Sequence, residues 1–86
     1  MYEFETAAEL SDGMSGVWLV TTGNGQYVWD LNEQTWAELV GEPTRTIRCA
    51  MYPAVGMYSL VWFEPHDADA RLWYLSDRVT SIKRLR

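Results

Sequence analysis

Apolar and polar positions alternate most regularly over residues 17–31, where two strand-like runs flank Gly23-Asn24-Gly25. Apolar or β-branched residues at every second position are typical of strands with one buried face. Asn-Gly is a preferred two-residue hairpin loop, because both loop positions take positive φ values that these residues tolerate. This segment therefore predicts an antiparallel β-hairpin.

Two registers are compatible with this hairpin. A two-residue loop of Asn24 and Gly25 pairs Trp18 with Leu31 and places Trp18 on the core face. A three-residue loop shifts every pair by one residue and turns Trp18 outward beside Asp30, because neighbouring residues of a strand point to opposite faces. Turn chemistry favours the two-residue loop.

Four further segments have the composition of strands. Residues 44–51 alternate and place four side chains on one apolar side: Arg45, Ile47, Cys49 and Met51. Residues 57–64 are almost continuously apolar, which predicts a central strand buried on both faces. Residues 71–75 form another strand, and residues 79–85 form an edge strand, because their charges on both faces discourage aggregation.

Residues 32–40 are compatible with two structures. A short helix would begin after Asn32 and end at Gly41. A strand over residues 35–40 agrees better with the short β elements around it, and we favour it. Residues 1–15 form an arm or a short helix, since Phe4, Ala7 and Ala8 share a helical spacing.

The number of short strands predicts an all-β fold, a small antiparallel barrel or sandwich of about six strands. Eighty-six residues form one domain, residues 1–86, with room for one core. Five Trp, five Tyr and two Phe suit a small core, since each buried aromatic removes ~150–250 Å² from water. The alternative is that some of these aromatics form an exposed adhesive patch.

Charge is distributed unevenly along the chain. Residues 1–43 contain eight acidic residues and no Lys or Arg, whereas residues 44–86 contain all seven basic residues and four acidic ones. Such asymmetry indicates either an oriented interaction surface, including an acidic face for a basic protein, or internal pairing of the two halves.

Side chains capable of chemistry are few. Residues 64–69 contain one His and three carboxylates, but they lack the spacing of a calcium loop and read as a solvated turn. Cys49 and His66 are the sole Cys and His, and Cys49 is expected to be a small buried thiol. We therefore predict a non-enzymatic protein without cofactor, metal site or small-molecule substrate.

The compartment is expected to be the cytoplasm. One cysteine provides no disulfide framework. The chain shows no basic, apolar leader and no long apolar run, so neither secretion nor membrane contact is expected.

Contact with another protein or with itself, as a homo-oligomer, is the predicted role, because aromatic and Met residues are enriched at interface cores. The interface candidates are Trp18, Trp36, Met51, Tyr52, Met57 and Trp73. The alternative is a small barrel that binds single-stranded nucleic acid through its basic half, using Arg45, Arg48, Arg71 and Arg84. The net charge of −5 argues against that alternative.

A longer pattern resembles short uncharacterised proteins of actinobacteria and their bacteriophages. The matching positions are Gly16-x-Trp18-x-Val20-x-Thr22-x-x-Gly25-x-Tyr27, then Asp30-Leu31-x-x-x-Thr35, and finally Val79-Thr80-Ser81-Ile82. Six arginines against one lysine also suit a GC-rich genome. The resemblance implies a small β protein of unknown function, phage-encoded and acting inside a bacterial host, and it transfers no catalytic or binding residues.

Overall fold

The structure, a computed structural model, describes residues 5–39, 44–65 and 72–86. Within these residues it contains seven strands and no helix: β1 (Val17–Thr22), β2 (Gly25–Asp30), β3 (Thr35–Glu38), β4 (Arg45–Met51), β5 (Leu60–Phe63), β6 (Trp73–Leu75) and β7 (Val79–Arg84). They form one antiparallel sheet in the order β6-β5-β4-β3-β2-β1-β7, which is not closed into a barrel. The all-β prediction is confirmed.

The hairpin is present, but its register differs from both predicted registers. Strand β1 pairs Trp18 with Trp29 and Thr22 with Gly25, so the two loop residues are Gly23 and Asn24. Neither of them has positive φ. The Thr22 hydroxyl donates to Asn24 Oδ1 at 2.8 Å and accepts from the Asn24 N–H at 3.3 Å. These bonds stabilise a loop that needs no left-handed residue.

Although the register differs, each side chain of the hairpin lies on the face that the favoured register predicts. The observed pairing is displaced by two residues from the favoured one, and side chains alternate with a period of two. Trp18 and Trp29 therefore remain on the core face, with 2% and 1% of their surface exposed. The Trp18 indole N–H donates to the Ser15 carbonyl at 2.9 Å, which satisfies its polar atom.

A β-bulge interrupts β4, and the side chains after it lie on the face opposite to the one predicted. The register advances from Ile47 opposite Phe63 to Cys49 opposite Trp62, so Arg48 is the additional residue. Arg45 and Ile47 lie on the core face, but the face exchanges after the bulge. Cys49 and Met51 are exposed and Ala50 packs against the core, so the prediction of a buried Cys49 is wrong.

The prediction for residues 57–64 is also wrong in part. The strand is shorter, and β5 is the second strand from the edge of the sheet rather than a central one. Val61 and Phe63 are buried, but Met57 is 61% exposed. Burial of both faces requires a covering layer on each side, and the described residues provide one only on the core face.

The remaining predicted elements agree more closely. Residues 35–38 are strand and not helix, and β7 is the last strand of the sheet. The described part of the N-terminal segment is an extended arm without helix. It bonds to β7, since the Ala7 N–H donates to the Ile82 carbonyl at 3.2 Å and the Arg84 N–H to the Glu5 carbonyl at 2.7 Å.

The core lies on the inner face of the curled sheet. Aromatic rings from four strands meet there: the Trp36 ring centroid lies 5.3 Å from Tyr27, 5.1 Å from Phe63 and 5.3 Å from Tyr74. Strands β2 and β6 are separated by three strands in the sheet order. The sheet must therefore bend over this cluster for Tyr27 and Tyr74 to meet.

Candidate interaction surface

The outer face of β4, β5 and β6 is apolar. The register places Met51 opposite Leu60, Leu60 opposite Leu75, and Trp62 opposite Trp73. Opposed residues of neighbouring strands point to the same face. With Tyr58, two residues before Leu60, they form what we name the outer apolar face: Met51, Tyr58, Leu60, Trp62, Trp73 and Leu75.

Most of this face is open to solvent. Four of its members are exposed by more than half of their surface, namely Met51 (62%), Tyr58 (53%), Trp73 (56%) and Leu75 (54%). Between Leu60, Trp62, Trp73 and Leu75 lies a shallow groove of about 260 Å³. Apolar patches of this kind are uncommon on soluble monomers, and they are typical of surfaces that contact another molecule.

In the part of the chain that the structure describes, one basic and one acidic residue lie at each end of the outer apolar face. Arg48 and Glu64 lie at the end next to Trp62, because the Glu64 N–H donates to the Thr46 carbonyl beside the bulge. Asp77 and Arg78 follow β6 at the other end. The Arg78 guanidinium carbon lies 5.7 Å from the Tyr58 ring centroid, within the range of a cation–π contact.

The edge strand β6 adds backbone groups to this surface. The Phe63 N–H donates to the Leu72 carbonyl and the Ser76 N–H to the Ser59 carbonyl, each at 2.8 Å. Hydrogen-bonded and non-bonded pairs alternate along an antiparallel ladder. The N–H and C=O groups of the two face residues of β6, Trp73 and Leu75, therefore point away from β5, toward the edge of the sheet.

A second hollow, of about 290 Å³, lies beside the bulge of β4 and is more polar. Its lining includes Asp12, Gln34, Arg48, Cys49 and Tyr52. The Tyr52 hydroxyl donates to Gln34 Oε1 at 3.3 Å. Burial raises the pKa of the Tyr52 phenol, and the charges of Asp12 and Cys49 raise it further. His66, the sole histidine of the sequence, lies outside the described residues.

The structure brings together only part of the predicted interface set. Trp18 and Trp36 are each 2% exposed, so they serve the core and offer no surface to a partner. Met51 and Trp73 share the outer apolar face. Met57 is exposed in the segment before β5, and Tyr52 is half-buried, with its ring 5.7 Å from Trp29.

Sequence reasoning missed Tyr58, Leu60, Trp62 and Leu75 as members of a surface. The first three alternate with inward residues such as Val61 and Phe63, which is the period of a one-sided strand. Both sets are apolar, however, so the pattern carried no contrast between core and surface. In β4 the bulge exchanges the two faces, so alternation along the sequence does not separate core from surface there either.

The three described arginines of the nucleic-acid alternative, Arg45, Arg48 and Arg84, do not share one exposed groove. The assignment of Arg45 to a nucleic-acid surface is wrong, because Arg45 lies in the core at 2% exposure. Its guanidinium carbon lies 4.3 Å from the Phe63 ring centroid. Arg84 donates to Glu5 at 3.2 Å and lies over Trp18 at 5.5 Å. Arg48 is exposed beside the bulge, and Arg71 lies outside the described residues.

Within the described residues, no three His, Cys, Asp or Glu side chains converge in a way that would hold a metal ion. Residues 66–69, most of the carboxylate-rich loop considered from the sequence, are not among them.

No helix in the described part of the chain has the length and apolar character needed to cross a bilayer. The Glu5–Arg84 ion pair joins the acidic half of the chain to the basic half.

No model of a known family matches the chain, and comparisons with curated proteins and with solved structures find no significant match. The class of the molecule therefore rests on its fold and surface, which are those of a small all-β protein with one apolar outer face.

Proposed function

We propose that this protein is a non-enzymatic interaction module that docks another surface on its outer apolar face. The single observation that carries the proposal is the outer apolar face itself: six neighbouring apolar residues on β4, β5, β6 and the segment before β5, four of them exposed by more than half of their surface. Exposing such a surface is unfavourable in water, and covering it yields roughly 25 cal/mol for each Å² removed from solvent.

The contrast with the core supports this proposal. The inner face already buries Trp18, Trp29, Trp36 and Phe63, so the fold has a complete core without the outer aromatics. Trp73 and Met51 contribute little to that core, because each is exposed by more than half of its surface. Aromatic residues and Met at an exposed position are typical of the anchors of protein interfaces.

A cytoplasmic setting belongs to the same proposal. Cys49 is a free and exposed thiol. Such a thiol persists in a reducing compartment and oxidises outside it. The host cytoplasm of a bacteriophage, the setting implied by the sequence resemblance, is one such compartment.

Binding of an apolar fluorescent dye to dilute protein tests the proposal, with two matched variants. Leu75→Lys introduces a charge into the outer apolar face, and Leu85→Lys introduces the same charge at a leucine of similar exposure, 44% against 54%, after β7. We expect the wild-type chain and Leu85→Lys to bind the dye, and Leu75→Lys to lose most of the binding. Equal binding by all three folded proteins would overturn the proposal.

A further inference from the structure

We infer that the occupant of the outer apolar face is a second copy of this chain, packed face to face across a two-fold axis. This inference rests on the proposed function and specifies its partner. Three properties of the face support it: its area, the charges at its ends, and its position beside an edge strand.

The area of the face suits a small symmetric dimer. Four of the six members expose more than half of their surface, and the other two are partly buried. With ~150–250 Å² for a large side chain, the face presents on the order of 500 Å². A two-fold axis doubles this to ~1,000 Å², which is the area expected of the smallest specific interfaces. We therefore expect a weak dimer, since interfaces near this lower limit of area are those of weak and transient complexes.

Among the described residues, the charges around the face favour neither an acidic nor a basic partner. The six members of the face are uncharged, and the described residues at each end include one base and one acid: Arg48 with Glu64, and Asp77 with Arg78. A second copy presents the same described residues, so a two-fold arrangement brings these bases and acids together in equal number. The repulsion that remains is between the net charges of −5 on the two chains, and salt screens it.

Face-to-face packing agrees with the structure better than edge-to-edge pairing does. The outward backbone groups of Trp73 and Leu75 would permit two copies of β6 to pair along their edges. That arrangement would join two outer apolar faces into one larger exposed surface and cover neither of them. Stacking the faces, as two sheets pack in a sandwich, removes both from water.

Sedimentation equilibrium from low to high micromolar concentration measures the dimer, at low and at high salt. We expect a monomer–dimer equilibrium that tightens with salt. Leu75→Lys should weaken it by at least about tenfold, because two lysines would be buried per dimer without partners. Leu85→Lys should leave the dissociation constant within about twofold of the wild-type value, since surface changes outside an interface have small effects.

Hydrogen exchange distinguishes the two geometries in the same samples. Face-to-face packing leaves the amides of Trp73 and Leu75 in rapid exchange at high concentration, because they gain no backbone acceptor. Slow exchange of these two amides on association would show edge-to-edge pairing and overturn the inference.

The remaining outcomes are decisive as well. A monomer at every concentration that still binds the dye at the outer apolar face would exclude the second copy and leave the proposed docking function standing. A wild-type chain that neither associates nor binds the dye would contradict both proposals. A dimer that Leu75→Lys does not weaken would place the interface elsewhere.

Discussion

The hydroxyl oxygens of Tyr27 and Tyr74 lie 2.5 Å apart, and either can donate the hydrogen bond. Tyr27 belongs to β2 and Tyr74 to β6, so this bond joins strands that are not neighbours in the sheet. Both rings also lie 5.3 Å from Trp36. The bond therefore closes the curl of the sheet over its aromatic core and fixes the position of β6, which carries Trp73 and Leu75.

Removing the Tyr74 hydroxyl should destabilise the fold by about 1 kcal/mol, the usual net value of a neutral hydrogen bond. Tyr27→Phe should cost a similar amount. Because the two hydroxyls share one bond, the double variant should cost less than the sum of the single ones. Urea unfolding of the three variants measures this difference, and strict additivity would show that the hydroxyls act independently.

The unfolding free energy should decrease at alkaline pH. Burial, together with the hydrogen bond to Tyr74, raises the pKa of the Tyr27 phenol far above its ordinary value of 10.0. Above pH ~10 the unfolded phenol loses its proton while the folded one keeps it, so ionisation favours the unfolded chain. The contribution of Tyr27 to the free energy of unfolding is fully present below pH ~10. Above that pH it decreases by up to ~1.4 kcal/mol per pH unit.

Unfolding titrations between neutral pH and pH ~11 measure this slope. Tyr27→Phe should flatten it in part, and the remainder should reflect Tyr52, whose pKa is raised as well. An unchanged slope in Tyr27→Phe would contradict the assignment of alkaline sensitivity to this phenol.

Gly16 should tolerate substitution far less well than Gly13. Both have positive φ, +102° and +98°, so alanine at either position is strained by about 1–3 kcal/mol. A Cβ at Gly16 would lie 2.9 Å from Arg84 Nε and 3.0 Å from the Arg86 carbonyl oxygen, whereas Gly13 has no atom within 4 Å. Thermal unfolding of Gly16→Ala and Gly13→Ala compares them, and equal losses would mean that the close contact at Gly16 has no cost.

Collisional quenching of tryptophan fluorescence should report mainly on the outer apolar face. Trp73 is 56% exposed, and Trp62 beside it is partly exposed. The other three tryptophans, Trp18, Trp29 and Trp36, are exposed by 2% or less. In dilute protein, Trp73→Phe should remove most of the quenchable emission, while Trp36→Phe should leave it unchanged. The opposite result would place Trp36 at the surface.

Local patterns in the sequence identified most of the strands, because alternation of apolar side chains is a property of neighbouring residues. The hairpin of β1 and β2, the strand over residues 35–38 and the terminal strand β7 all follow from it. The predicted register of the hairpin was wrong by two residues, since Thr22 and Asn24 form side-chain bonds that the preference for Asn-Gly does not include. A displacement of two keeps each face, so the core survived the error.

Local sequence patterns could not predict which residues form the outer apolar face. The bulge at Arg48 exchanges the faces of β4, and it depends on pairing with a strand more than ten residues away. In β5, Leu60 and Trp62 are as apolar as Val61 and Phe63, so composition alone could not assign them to opposite faces. The exposure of Trp73 similarly depends on the place of β6 in the sheet.

By itself, the sequence determined that this protein is all-β and that its core is rich in aromatic side chains, because strand alternation and turn residues act over a few neighbouring positions. Tertiary structure alone decided which apolar residues are core and which are surface. That division depends on strand order, on the bulge in β4 and on the curl of the sheet that brings Tyr27 to Tyr74. Each of these arises from contacts between residues distant in the chain.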